Sequence, residues 1–473
     1  MKKIFFLSFF AAVFAPLAPS VSAQTFTLID YENNVNWSSP DIWSIDGETS
    51  QTYPQDGGTV VFRNENQTSQ NIITISGQYK IDSLDISMKG SAHYRLHTAG
   101  SSLLEIAGDS AINSAFNWMQ FIVAGTGSYD FKGNLAVKSD IGGGLKSIIA
   151  FGEATTSQLQ SFRVGGNLGI QKNTSGAMSV YFNAKEVLIG GNMNIADGAV
   201  VVLARSTRGA ESSFSVGGIT GGGSIVLGFD SASYYAQKSV AGITIANGGS
   251  WAGSFQKLTT NADSRFNVTM DGGGTQDFRV SSATFADGAA NSNIIDTLTV
   301  NRGAFNYGAG GYASGSLVLN GGKFGAAAAA DPGTTSADVG TARFESGLWN
   351  GGAIVLDISA ADAAYDKIEF SGVFDRGGVD ASLEFRFDAD GMKELIDMGF
   401  STFEDMIVYA SGSSVAGTAL SGVTDGIQWE AVFGETGMTA TFAVVPEPAA
   451  LAALSGLAAL LFAAALRVRG GKE

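Results

Sequence analysis

The sequence predicts an all-β fold, a β-solenoid body closed by a β-rich cap near the C-terminus. Three observations carry this. A short motif of alternating apolar residues ending on glycine recurs, with its second glycines at 133, 166, 191 and 218, that is 33, 25 and 27 residues apart. Periods of about 20–50 residues mark solenoids and arrays. Sixty-three glycines stand beside short alternating runs, and only 15% of residues are charged, a composition of strands and tight turns rather than helices. Cysteine is absent, so a packed core must hold the chain without disulfides.

Taken in order, the chain opens on Met1-Lys2-Lys3 and an apolar run from Ile4 to Phe14. Pro16 and Pro19 follow, and then the small residues of Val21-Ser22-Ala23. This is the pattern of a secretory signal peptide over 1–23, cut between Ala23 and Gln24. It implies passage through the secretion machinery and a signal peptidase. Residues 24–90 read as an N-terminal β cap with the first coils. Ile81 to Ile86 alternates strictly, as a half-buried strand does. Trp37 and Trp43 read as an apolar plug over one end of the stack, with a carbohydrate-stacking platform as the alternative.

The irregular repeats fill 91–330. Tyr129 to Leu135, Phe162 to Leu168, Val187 to Met193 and Phe214 to Ile219 share the motif. Asn134, Asn167 and Asn192 sit at its corner, either as a stacked ladder or as plain turn residues. A looser version starts at Ile243, Leu298 and Leu317, the last two 19 residues apart. Ala326 to Ser336 is a low-complexity break, with the linker set at 331–341. The cap, 342–444, holds strands at 353–358, 367–370 and 382–387. Met392 to Met398 and Phe403 to Ile407 have helical periodicity. A closing hairpin turns around Gly434 and Gly437.

The segment 445–473 begins Val445-Pro446-Glu447-Pro448. Ala449 to Leu466 is eighteen residues without a charge, about 27 Å as a helix, which suits one transmembrane span. Arg467 and Arg469, with Lys472, would stop the tail on the cytoplasmic side. Between Gln24 and Val445 lie 23 basic and 42 acidic side chains, a net charge of −19. A body this anionic excludes nucleic acid as a partner.

Pro446-Glu447-Pro448, the apolar span and the short Arg-bearing tail resemble the PEP-CTERM sorting signal of exopolysaccharide-producing Gram-negative bacteria. The resemblance implies processing by an exosortase-type membrane protease at those three residues. It also implies an inner-membrane intermediate and final placement at the cell surface or in the extracellular matrix. The body more loosely resembles autotransporter-associated β-strand repeat proteins. That likeness rests on Asn36-Trp37 to Trp43, Asp56 to Phe62, Ile81 to Leu84 and Leu317 to Phe324. The C-terminal barrel of an autotransporter is absent from the pattern, so release would go through the C-terminal signal.

No catalytic, cofactor or metal site is expected. His93 and His97 are the only histidines, and on a strand they stand about 13 Å apart, too far to share one metal ion. Asp263, Arg265, Asp271, Asp277 and Arg279 offer the residue types of a glycan-cleaving β-helix, but their spacing does not fix them on one face. Asp388-Ala389-Asp390-Gly391 lacks the later ligands of a calcium loop and reads as a turn capping a helix. These readings converge on an exported, non-enzymatic surface or matrix protein. The alternative is a β-helix that binds or cleaves exopolysaccharide.

Overall fold

The structure, a computed structural model, describes residues 24–30, 34–67, 71–90, 94–116, 120–140, 146–152, 158–172, 176–327, 339–445 and 457–459. It is all-β, 61% strand and 5% helix, and forms a β-solenoid of about 10 turns. The repeated motif sets the register. Leu104, Tyr129, Phe162, Val187, Phe214, Ile243, Val268, Leu298 and Leu317 pair one above the next in consecutive parallel strands. All nine are buried. The residue that follows each of them, such as Glu105, Asp130 or Arg163, points outward, as the two-residue period of a strand requires.

Each coil has up to three sides. The third side is a ten-stranded parallel sheet running from Val35–Asn36 to Ser282–Phe285. The other two sides merge into one 28-stranded sheet, because strands such as Ala184–Ile195, Arg265–Phe278 and Thr341–Ser359 turn the corner without a break. The irregular period now has a cause. Coils that include a third-side strand have motif spacings of 25 to 33 residues, as in Phe131↔Val164↔Ile189. Among the described residues no third-side strand follows Phe285, and Leu298 pairs directly with Leu317, 19 residues on. Close stacking at the corner needs glycine. Gly303 has φ +71°, and a Cβ there would lie 2.2 Å from the Gly272 carbonyl oxygen.

One coil carries a polar graft. Gly249 leaves no room for a side chain, since a Cβ there would lie 2.8 Å from Ile219 O, and the next coil puts Gln276 in register with it. Gln276 Oε1 accepts from Ile219 N at 3.0 Å and its Nε2 donates to Ile219 O at 3.1 Å. The amide thus replaces backbone ladder bonds two coils away.

Both ends are sealed. At the first, Thr25–Leu28 pairs antiparallel with Trp43–Ile45 and parallel with Thr59–Gln67. Trp37 and Trp43 are fully buried there, edge to face at 5.1 Å. Their indole N–H groups donate to the carbonyls of Pro54 (2.6 Å) and Trp37 (2.9 Å). They form the plug, and neither ring is exposed to stack on a sugar.

At the other end the parallel coils continue past the expected linker, of which 331–338 lie outside the described residues. Thr341–Ser359 pairs parallel with Ala313–Leu319 before it and with Lys367–Phe370 and Phe374–Arg386 after it. Thr402–Val408 pairs parallel with Lys367–Phe370 on one side and antiparallel with Gly437–Val444 on the other, and Gly437–Val444 forms the expected hairpin with Ile427–Phe433. The helix Ala389–Asp397 begins on Asp388, whose carboxylate accepts from Gly391 N at 2.8 Å. Phe403 to Ile407 is strand, not helix. Its register shifts between Phe403 and Ile407, and Asp405 has φ +55°. The irregularity brings Phe403, Met406 and Ile407 into the core, a spacing that imitates a helix.

Candidate functional site

The sorting residues Ala23, Pro446, Glu447, Pro448, Arg467 and Arg469 lie outside the described residues, as does the leader. Of the span 449–466 only Leu457–Ala459 is described, as helix. Among the described residues no helix is long and apolar enough to cross a membrane. The body next to these segments is well defined. Gln24 is exposed, and its carbonyl accepts from Thr59 N at 2.8 Å. Val445 N donates to Gly426 O at 2.9 Å. The hydrogen-bonded body therefore reaches the residue after the expected leader cut and the residue before Pro446.

The corner between the two merged sides carries a continuous polar ladder. Asp109 Oδ1 accepts from Asn134 N at 2.7 Å and from Asn134 Nδ2 at 3.0 Å. Asn134 Oδ1 accepts from Asn167 N, and Asn167 Oδ1 from Asn192 N, both at 2.8 Å. The two hydrogen bonds from Asn134, the backbone one foremost, hold the Asp109 carboxyl below its usual range. The same device returns further along: Asn320 Nδ2 donates to Asn301 Oδ1 at 2.9 Å and Asn350 Nδ2 to Asn320 Oδ1 at 2.8 Å. Gly218, in register with Asn192, ends the first run: it carries no acceptor, and a Cβ there would lie 1.9 Å from the Gly248 carbonyl oxygen. Replacing Asn167 with alanine removes the acceptor for Asn192 N. It is expected to cost about 0.5–1.5 kcal/mol in urea unfolding, while Asn167→Asp, which keeps an acceptor oxygen, stays closer to the parent.

Outward charges pair between neighbouring coils. Arg63 meets Asp85 at 3.1 Å, Arg163 meets Glu186 at 3.1 Å, Lys238 meets Glu211 at 2.5 Å and Arg343 meets Glu369 at 2.8 Å. Such exposed pairs contribute little each but favour one register over a slipped one. Asp271 belongs to this set, with Arg302 at 2.8 Å, and Asp277 accepts from Asn306 at 2.7 Å. Arg265 and Asp271 lie on one outward side and Asp277 on the next. Arg265 donates to the backbone carbonyl of Ser264 at 2.8 Å. Asp263 lies in the turn before that strand and Arg279 just after its end. The five do not assemble into one catalytic group. His97 points outward from Tyr94–Thr98, and His93 lies outside the described residues. No group of three or more potential metal-ligating side chains occurs among the described residues.

Two buried ionic groups escaped the sequence reading. Asp357 is held at both oxygens by Arg386, at 2.7 and 2.9 Å. Asp366 beside it accepts from Gly340 N at 2.7 Å and Asp357 N at 3.0 Å. Burial, and then the charge of Asp357, push the Asp366 carboxyl up to about 7. Both carboxylates are fully buried and cannot act on a polymer as they stand. The second group is Lys257 with Asp296, 1% and 3% exposed. The sequence did hold a signal for it: alternation in Ser254-Phe255-Gln256-Lys257 puts Lys257 on the same inward side as Phe255. No family model matches this chain, and no curated protein or solved structure matches it.

Proposed function

We propose that this chain is an exported, non-enzymatic structural or adhesive component of the cell surface or extracellular matrix. Residues 1–23 direct it across the membrane, Ala449 to Leu466 hold it there, and an exosortase-type protease releases it at Pro446-Glu447-Pro448. The observation that carries this reading is the order of segments along the chain. A basic-apolar leader and a Pro-Glu-Pro, apolar and arginine tail flank a body whose hydrogen bonding runs from Gln24 to Val445. A stack of coils with an apolar interior, capped ends and charges paired from coil to coil suits a load-bearing rod. Its alternating faces leave many outward positions free to vary.

Mass spectrometry of the protein recovered from the surface fraction tests this. The expected chain starts at Gln24 and ends near Pro446-Glu447-Pro448. A recovered peptide that reaches Glu473 overturns the release step. Incubation with anionic and neutral glycans tests the other half of the reading. New reducing ends or unsaturated products would assign the chain to the glycan-cleaving class instead.

A further inference from the structure

Lys257 ends the strand Ser254–Lys257, the next-to-last strand of the third sheet, and Asp296 stands just before the strand Thr297–Tyr307. The pair meets where the coils lose their third side. Lys257 Nζ lies 3.0 Å from Asp296 Oδ1 and 2.9 Å from Oδ2. Asp296 Oδ2 also accepts from Phe266 N at 2.6 Å, and Oδ1 accepts from Asn291 Nδ2. Ile294, Ile295, Phe255 and Phe266, neighbours in sequence or sheet, are all fully buried. Two opposite charges sealed this deeply are costly to keep, and proton transfer from ammonium to carboxylate removes both. Burial accordingly pulls the Lys257 ammonium below its usual range, against the opposing pull of Asp296. The nitrogen and both carboxyl oxygens are thus held within 3.0 Å of each other, shielded from water.

We propose that Lys257 and Asp296 are joined by an amide bond that the folded chain forms within itself, a covalent staple across the end of the third sheet. In that step a proton passes from Nζ to a carboxyl oxygen, the freed lone pair of Nζ attacks Cγ, and an N–C bond forms. Phe266 N–H and the Asn291 side-chain amide hold the two carboxyl oxygens as charge builds on them. One C–O bond then breaks, and the hydroxyl leaves with the proton given up by nitrogen, as one water. Nothing is oxidised or reduced. Enforced contact between the reacting groups is worth an effective concentration on the order of 10⁵–10⁸ M in well-oriented cases, which lowers the barrier that free amine and acid meet in water. In a chain without cysteine the bond does the work of a disulfide, closing the loop from 257 to 296.

Peptide mapping of the purified full chain decides the matter. The staple blocks tryptic cleavage after Lys257. The peptide carrying Lys257 is expected joined to the one carrying Asp296, at a combined mass lower by one water. Separate peptides, with cleavage after Lys257 and an unmodified Asp296, overturn the proposal and leave an ion pair. Asp296→Asn provides a second reading: the same amide then forms with loss of ammonia instead of water, and its joined peptide has the same mass as the parent's. Lys257→Arg keeps a cation at the site and is expected to give no joined peptide. A joined peptide in that variant places the link elsewhere and counts against Lys257.

Discussion

Replacing Trp43 with alanine is expected to destabilise the first coils by about 3–5 kcal/mol, the cost of removing a large buried ring that the surroundings cannot refill. The ring is fully buried, 5.1 Å from Trp37 and 6.0 Å from Phe62, and its N–H holds the Trp37 carbonyl. Without it that carbonyl loses its donor, and the first strand, Thr25–Leu28, loses the packing beneath Leu28↔Trp43. A solenoid couples mainly nearest neighbours, so the damage should be local. Hydrogen exchange should speed up in Thr25–Leu28 and at 59–62, while amides of the C-terminal hairpin keep their protection. A midpoint shift equivalent to less than about 1 kcal/mol, against the 3–5 kcal/mol expected of a large core ring, would mean that Trp43 is not a plug.

The C-terminal coils should lose stability as the pH rises from 4 to 7, and Asp366 is the cause. Unfolded, its carboxyl titrates near 3.8; folded, near 7. Between those values the folded state holds a proton that the unfolded state releases. The contribution of this group is therefore greatest below pH 3.8, declines as pH rises through the window, and is level above about 7. A displacement of that size corresponds to something on the order of 4 kcal/mol. The other carboxylates titrate in the same range, so the informative quantity is the difference between parent and Asp366→Asn. Unfolding followed by Trp429 fluorescence at several pH values should show the parent losing ground to the variant from pH 4 to 7. Parallel curves across that window would remove Asp366 as the source.

Much of this architecture is legible in the sequence, and the reason is periodic chemistry. Alternation in segments such as Phe162-Arg163-Val164 and Val187-Leu188-Ile189 survives because the two-residue period of a strand leaves no freedom over which side faces the core. The corner asparagines could be located but not assigned. A turn residue and a ladder residue look alike until the neighbouring coil supplies the amide, as Asn192 N does for Asn167. Arg265–Phe278 hid as a repeat because Gly272 to Gly274 shift its register. The Asp405 irregularity made a strand look helical.

The sequence by itself determined the repeated motif at Tyr129, Phe162, Val187 and Phe214, its looser form at Ile243, Leu298 and Leu317, and the apolar character of the tryptophan pair, because these depend on local alternation and apolar content. Only the tertiary structure decided where the third sheet stops, how far the parallel coils run past residue 341, and which polar side chains are buried. Those outcomes depend on partners 19 to 39 residues apart along the chain, such as Leu317 for Leu298 and Asp296 for Lys257. A lysine or aspartate on an inward position becomes tolerable only when folding brings its counterpart to the same level of the stack.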